Sequence, residues 1–197
     1  MNASTEIIKQ KRFTKTVESL PVAGPQGLEA TVVRQFTAAP LRLSCEAEFD
    51  AEPKVLFNRV SEPSEIAKWF AMIRRGETNH STSSALGEEW GAGSTRTCYT
   101  NGMGTLYETI RYWDAPHAYA YEVKNLIMPV RNHLALMRVV SNNNGGSKFL
   151  WNHYFDFKGV AMRYVFPAMM ATMVNQGMKK LSKELGGPGG HMRVVKV

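Results

Sequence analysis

The feature that most constrains the fold is a change of hydrophobic period near the C-terminal end of this 197-residue chain. Up to Phe157 apolar residues alternate with polar ones, which is typical of β-strands. After Gly159 they recur at helical spacing until Gly186, and this predicts one long amphipathic helix that ends at Gly-Gly-Pro. The apolar stripe of this helix contains Met162, Val165, Phe166, Met169, Met170, Met173, Gly177, Met178, Leu181 and Leu185.

The strands before this helix are predicted from alternation and from the turn formers between them. The first spans Leu41–Phe49, and two short helices follow it, one capped by Asp50 and one at Ser64–Met72. The later strands are placed at about Ser94–Thr100, Gly104–Trp113, Ala118–Lys124, Asn132–Ser141 and Ser147–Phe157. This order predicts an α+β fold in which a curved antiparallel sheet wraps around the long C-terminal helix.

The two ends of the chain differ from the middle. Residues 1–40 are rich in turn formers and are interpreted as an N-terminal extension with one strand at Ala30–Phe36. Residues 41–186 form the main domain, and residues 187–197 are interpreted as a loose C-terminal tail. Neither end is expected to contribute much to the main core.

Charge and composition exclude several classes of protein. The net charge is +7, but residues 158–197 hold 7 basic and 1 acidic side chains, while residues 41–157 hold 12 and 13. Lys179, Lys180 and Lys183 are expected on the solvated side of the helix, so we expect no nucleic-acid partner. The two cysteines, Cys45 and Cys98, have no metal-binding or disulfide spacing and favour a cytoplasmic chain. No apolar run is long enough for stable membrane insertion.

Four stretches of the sequence resemble a known superfamily. They are FDAEPKVLFNRVSEPSEIAKWF at Phe49–Phe70, GAGSTRTCYTN at Gly91–Asn101, LYETIRYWDAPHAYAYEV at Leu106–Val123, and the last strand with its helix at Phe149–Leu185. Together they resemble the START/birch-pollen-allergen superfamily, also called SRPBCC or helix-grip proteins, and most of all its polyketide cyclase/dehydrase-like branch. The resemblance implies the helix-grip fold, with a ligand cavity between the sheet and the long helix.

The resemblance also assigns residues to that cavity. A similar layout implies that Met169, Met173 and Gly177 face it. The plant abscisic-acid receptors show a similar pattern in the strands that bear an Arg and a Glu, and Arg96 and Glu108 match those positions. His133 takes the place of an aromatic side chain that lines the receptor pocket. Met72 stands near the point where those receptors have a Lys for a carboxylate ligand, which argues against a hormone-receptor role.

Two side chains are candidates for acid–base chemistry. Glu108 shares a strand face with Ile110, so it enters the cavity as a perturbed carboxyl if that face is inward. The alternatives are that it faces outward or pairs with Arg96 as a structural bridge. His153 lies on the most apolar strand face, where it is either a core histidine or a ligand contact. Neither His133 nor His153 has a further ligand at metal spacing, so we predict no metal site and no cofactor. The predicted ligand-binding set is Trp69, Arg96, Glu108, Ile110, Tyr121, His133, Met137, Trp151, His153, Met169, Met173 and Gly177.

These patterns lead to one main hypothesis and two alternatives. The main one is a protein that binds a small hydrophobic or amphipathic ligand, lipid-like or polyketide-like, in an internal cavity. The first alternative is a polyketide cyclase or dehydratase that uses Glu108 or His153 as general acid or base. The second is a non-catalytic interaction protein whose cavity is collapsed. The oligomeric state is left open.

Overall fold

A computed structural model describes residues 25–85, 89–125 and 128–195 of the chain. Most of the predicted N-terminal extension, residues 1–24, lies outside the described residues. The strands are β1 (Leu41–Phe49), β2 (Ile73–Asn79), β3 (Thr95–Thr100), β4 (Thr105–Asp114), β5 (Ala118–Lys124), β6 (Val130–Ser141), β7 (Ser147–Phe157) and β8 (Gly189–Val194). The helices are α1 (Pro25–Leu28), α2 (Arg34–Phe36), α3 (Pro53–Ser61), α4 (Pro63–Trp69) and α5 (Met162–Leu185), and a π-helical turn, Glu29–Val33, joins α1 to α2.

All eight strands belong to one antiparallel sheet in the order β2-β3-β4-β5-β6-β7-β1-β8. The predicted strands from Ser94 onward are present with bounds within two residues of those expected. The sheet curves around α5, and the two short helices α3 and α4 follow β1. The predicted α+β helix-grip fold is therefore confirmed.

The main core lies between the concave face of the sheet and α5. The helix buries one side of its surface, made of Phe166, Pro167, Met170, Val174, Gly177, Met178 and Leu181. These side chains meet inward residues such as Phe49, Phe149 and Phe155, which are fully buried. The three lysines of the last turns are exposed, as predicted. The helix begins at Met162, and Pro167 lies inside it.

The prediction of a loose C-terminal tail is wrong, because most of the described part of this segment is a strand of the sheet. Residues after α5 form β8, which pairs with β1 from Leu43↔Val194 to Glu48↔Gly189. Gly186 and Gly187 have φ angles of 75° and 82°, a region that favours glycine, and they turn the chain back toward the sheet. The pairing covers the edge of β1, whose backbone groups would otherwise lack partners. It also buries Met192 in the main core.

Three further local features differ from the sequence analysis. The segment predicted as a strand at Ala30–Phe36 is helical. Its adjacent residues Val32 and Val33 are both buried, whereas a strand would place them on opposite faces of the sheet. Strand β2 was not predicted, because Ile73 is its only buried residue and no apolar alternation marks it. Helix α3 is preceded by Glu52 rather than capped by Asp50, and no side chain caps its first turn.

The N-terminal helical segment, residues 25–36, covers the outer face of the sheet. Val32 and Val33 pack there against Ala120, Leu134, Leu136 and Tyr154, in a cluster separate from the main core. The described part of the extension lies outside the main core, and it shields a second apolar face. As a result β6 and β7 are covered on both sides near their centres.

We expect Met192→Ala to lower the free energy of unfolding by about 2–4 kcal/mol, because it removes a buried side chain from the main core. Val194→Ala is the matched control in the same strand, since Val194 is 49% exposed and its loss should change stability by less than about 0.5 kcal/mol. Chemical denaturation measures both values. Equal effects of the two substitutions would contradict the packing of β8 described above.

Candidate functional site

A cavity of about 50 Å³ lies inside the main core, between the sheet, α4 and the first half of α5. It is lined by Ile66, Trp69, Phe70, Met72, Ile73, Arg96, Cys98, Met103, Leu106, Glu108, Tyr121, Val123, Met128, His133, Met137, Trp151, His153, Phe166 and Met170. Most of these side chains are apolar. Burial raises the pKa of Cys98 well above that of a free thiol, so this group is a protonated, weakly polar wall residue.

Methionines are the most frequent residue type of this lining. Five of the 11 methionines of the chain line the cavity, namely Met72, Met103, Met128, Met137 and Met170. A methionine side chain is unbranched, has three rotatable bonds and adapts to apolar partners of different shape. The cavity wall can therefore change shape without a change of backbone.

Eight of the predicted ligand-binding residues line this cavity: Trp69, Arg96, Glu108, Tyr121, His133, Met137, Trp151 and His153. Ile110 is fully buried but lies outside the lining. The inward stripe of α5 was assigned wrongly, since Phe166 and Met170 line the cavity in place of Met169, Met173 and Gly177. Gly177 faces Trp69 instead: a Cβ at this position would lie 2.8 Å from Trp69 Cε3. Periodicity identified the apolar side of the helix, but not which part of it meets the void.

Arg96 and Glu108 form a buried ion pair on neighbouring strands. Arg96 Nη2 lies 2.7 Å from Glu108 Oε2, and Arg96 Nη1 donates to the Ser61 carbonyl at 2.8 Å. The guanidinium also lies over the rings of Tyr121 and Tyr119, 4.8 and 5.3 Å from their centroids. Burial opposes the charge, but Glu108 raises the pKa of Arg96 above its ordinary value. Glu108 thus combines two of the roles proposed from the sequence: it borders the cavity, and its carboxylate pairs with Arg96.

His133 and His153 meet in the cavity wall, a contact that the sequence analysis did not predict. His133 Nε2 lies 3.1 Å from His153 Nδ1. Burial lowers the pKa of His133 to about 4, and burial together with the neighbouring His133 lowers the pKa of His153 well below its usual range. Both imidazoles are therefore neutral near pH 7, and one of them donates the shared hydrogen bond to the other.

A distortion of β6 positions His133 for this contact. The β6–β7 register shifts between Arg131 and Leu134, and Asn132 between them has a φ of 54°, in the left-handed region. Such bulges redirect side chains. Asn132 is held on two sides, because its carbonyl accepts a bond from Thr37 Oγ1 and its side-chain Nδ2 donates to Asp156, both at 2.8 Å.

An outer groove of about 640 Å³ adjoins the cavity. Val123 and Met128 line both spaces, so the cavity and the groove meet at these two side chains. The groove also carries Lys124, Arg131 and Lys158, which are exposed. Sequence reasoning missed Met128, because it lies in a connection between strands, where no periodicity marks an inward side chain.

The described residues support neither a metal site nor a membrane-spanning helix. These residues contain no group of three or more His, Cys, Asp or Glu placed to hold a metal ion. None of their helices combines the length and apolar character needed to cross a membrane.

Comparison with known proteins agrees with this geometry. Residues 40–186 match the family model described as polyketide cyclase/dehydrase and lipid transport. The chain belongs to this family. A search among curated proteins gives no match. The family and the fold confirm the resemblance to the polyketide cyclase/dehydrase-like branch of the helix-grip proteins.

Solved structures support the fold of this family member. The protein XoxI from Bacillus cereus is 16% identical with a TM-score of 0.57, and the match covers 72% of this chain and 93% of that one. A protein from Nitrosospira multiformis is 12% identical with a TM-score of 0.56, with 75% and 97% covered. A protein from Thermobifida fusca is 16% identical with a TM-score of 0.55, with 71% and 92% covered. At this identity the likeness establishes the fold alone.

We expect Glu108→Gln to lower the free energy of unfolding by about 3–5 kcal/mol, because it leaves the buried Arg96 charge without its counter-ion. Glu77→Gln in the exposed pair with Arg75 is the control and should change stability by less than about 1 kcal/mol. Thermal and chemical unfolding measure the difference. A Glu108→Gln protein as stable as the control would show that the ion pair is not structural.

Stability should also fall as the pH falls below the ordinary histidine pKa. Since the pKa values of His133 and His153 are lowered in the folded state, the unfolded chain binds more protons between pH 7 and 5. This linkage removes about 2 kcal/mol per histidine over that range. Unfolding measured at pH 7, 6 and 5 tests it, and His133→Phe should show a shallower dependence. An unchanged slope in the variant would contradict the neutral buried pair.

Proposed function

We propose that this protein binds a small, mainly apolar ligand in the cavity between the sheet and α5. The observation that carries the proposal is the lining itself: apolar and methionine side chains surround a void with a few polar groups at fixed positions. Ligand sites commonly have this composition, in which the apolar wall supplies affinity and a few polar groups orient the ligand. The family description, which includes lipid transport, supports a lipid-like or polyketide-like ligand.

The volume of the cavity sets a condition on this function. About 50 Å³ has room for only a few water molecules, whereas a cavity of roughly 150 Å³ accommodates benzene. A ligand must therefore displace side chains. The five methionines can do this at low cost, and displacement of Met128 would join the cavity to the outer groove.

Proton transfer to a bound ligand is a second candidate function, favoured by the histidine pair. Glu108 is engaged with Arg96, so His153 is the better placed of the two predicted catalytic residues. A neutral imidazole in an apolar wall accepts a proton from a bound ligand or donates one to it. Mass spectrometry of a ligand that co-purifies with the protein tests the dehydratase form of this function, because acid–base-catalysed dehydration lowers the mass of the ligand by one water during incubation.

A neutral fluorescent probe, N-phenyl-1-naphthylamine, tests the binding function. We expect saturable binding to the unmodified protein and affinity reduced by about tenfold or more in Met170→Trp, since the larger side chain overfills the cavity. Met169→Trp is the matched control on the same helix, because Met169 is only partly buried and lies outside the lining. Its affinity should stay close to that of the unmodified protein.

Two results would count against the proposal. Equal affinity in Met170→Trp and in the unmodified protein would place the probe elsewhere, for example in the outer groove. The absence of any binding would favour the remaining alternative, an interaction protein whose cavity stays collapsed at its present volume.

A further inference from the structure

The histidine pair has hydrogen-bonding capacity that the protein does not use. Among the described residues, His133 Nδ1 and His153 Nε2 are buried and have no hydrogen-bond partner. Because one imidazole donates the shared bond to the other, one of these two free nitrogens is an N–H donor and the other is an acceptor. Buried polar groups without partners are uncommon in folded proteins, and each requires an explanation.

The surroundings of the pair restrict the chemistry of a possible partner. Both imidazoles line the cavity, next to the aromatic rings of Trp151 and Tyr121. Of the residues that the structure describes, Arg96 and Glu108 are the only charged ones in the lining, and they neutralise each other. The cavity wall therefore holds no surplus charge for an ionised ligand, while a neutral oxygen-bearing group can pair with a donor or an acceptor nitrogen of the two histidines.

We propose that the His133–His153 pair recognises a neutral hydroxyl or carbonyl group on the apolar ligand. This inference rests on the proposed binding function and specifies the ligand class: an alcohol, a phenol, an enol or a ketone, not a carboxylate or a pure hydrocarbon. A hydroxyl both donates and accepts, so it fits whichever free nitrogen it meets. A carbonyl fits the nitrogen that carries the proton.

Two probes of the same shape isolate this contact. In p-cresol a hydroxyl replaces one methyl group of p-xylene, so the two differ mainly in hydrogen bonding. Their dissociation constants are measured by NMR on protein labelled with ¹³C at the methionine methyl groups, five of which line the cavity. The quantity of interest is the preference for p-cresol, taken as the ratio of the two dissociation constants.

We expect His153→Phe to reduce this preference by about tenfold, since the variant loses the hydrogen bond but keeps an apolar ring in the wall. His153→Gln should retain most of it, because the amide has a donor and an acceptor. Val139→Ala is the matched control, because Val139 is buried in β6 but lies outside the lining, and it should leave the ratio unchanged. An unchanged ratio in His153→Phe would overturn the inference.

A measurement on the unmodified protein keeps the test valid if His153→Phe fails to fold. With ¹⁵N-labelled histidine, p-cresol should shift a free-nitrogen resonance of the pair, and p-xylene should not. Binding of both probes without that difference would overturn the inference but leave the binding function intact. If neither probe shifts any methionine methyl resonance, the proposed binding function fails and this inference fails with it.

Discussion

The cavity depends on one buried guanidinium. Arg96, on β3, reaches from the sheet to the carbonyl of Ser61 at the end of α3, and Tyr119 on β5 similarly donates to the Val60 carbonyl. These two bonds hold the helical corner between α3 and α4 above the sheet. Trp69 at the end of α4 contacts α5 at Gly177. The ion pair holds Arg96 in place and so helps to position the side of the cavity that α4 and α5 form. A buried charge is costly to desolvate, and Glu108 together with the Ser61 carbonyl makes it tolerable.

The cavity wall contains an ion pair and a histidine pair, and the two differ in how they use their polar atoms. The charges of Arg96 and Glu108 are used within the protein, so they shape the wall without presenting a net charge. His133 and His153 are uncharged and use only half of their hydrogen-bonding atoms on each other. Burial causes both features: it favours pairing of permanent charges and the neutral form of groups that titrate near pH 7.

Local pattern accounts for most of the fold and for only part of the site. The large apolar residues of β7 alternate along the strand, those of α5 recur at helical spacing, and both elements lie where the sequence predicted them. Strand β8 has a single buried side chain, Met192, so no alternation of apolar and polar residues indicates its pairing with β1. The same is true of the histidine contact, which joins residues 20 positions apart through a register shift that no periodicity encodes. Long-range register is decided by the whole sheet, whereas hydropathy patterns report only on one element at a time.

The register shift at Asn132 has a consequence for the two faces of the sheet. Its carbonyl accepts a hydrogen bond from Thr37, which directly follows the helical segment packed on the convex side, while the next residue, His133, points into the concave side. One backbone position is thus shared by an outer support and an inner wall. If the outer segment and Thr37 detach together, the left-handed conformation of Asn132 loses one of its two restraints. The outer segment and the inner wall are thus mechanically coupled through this peptide unit.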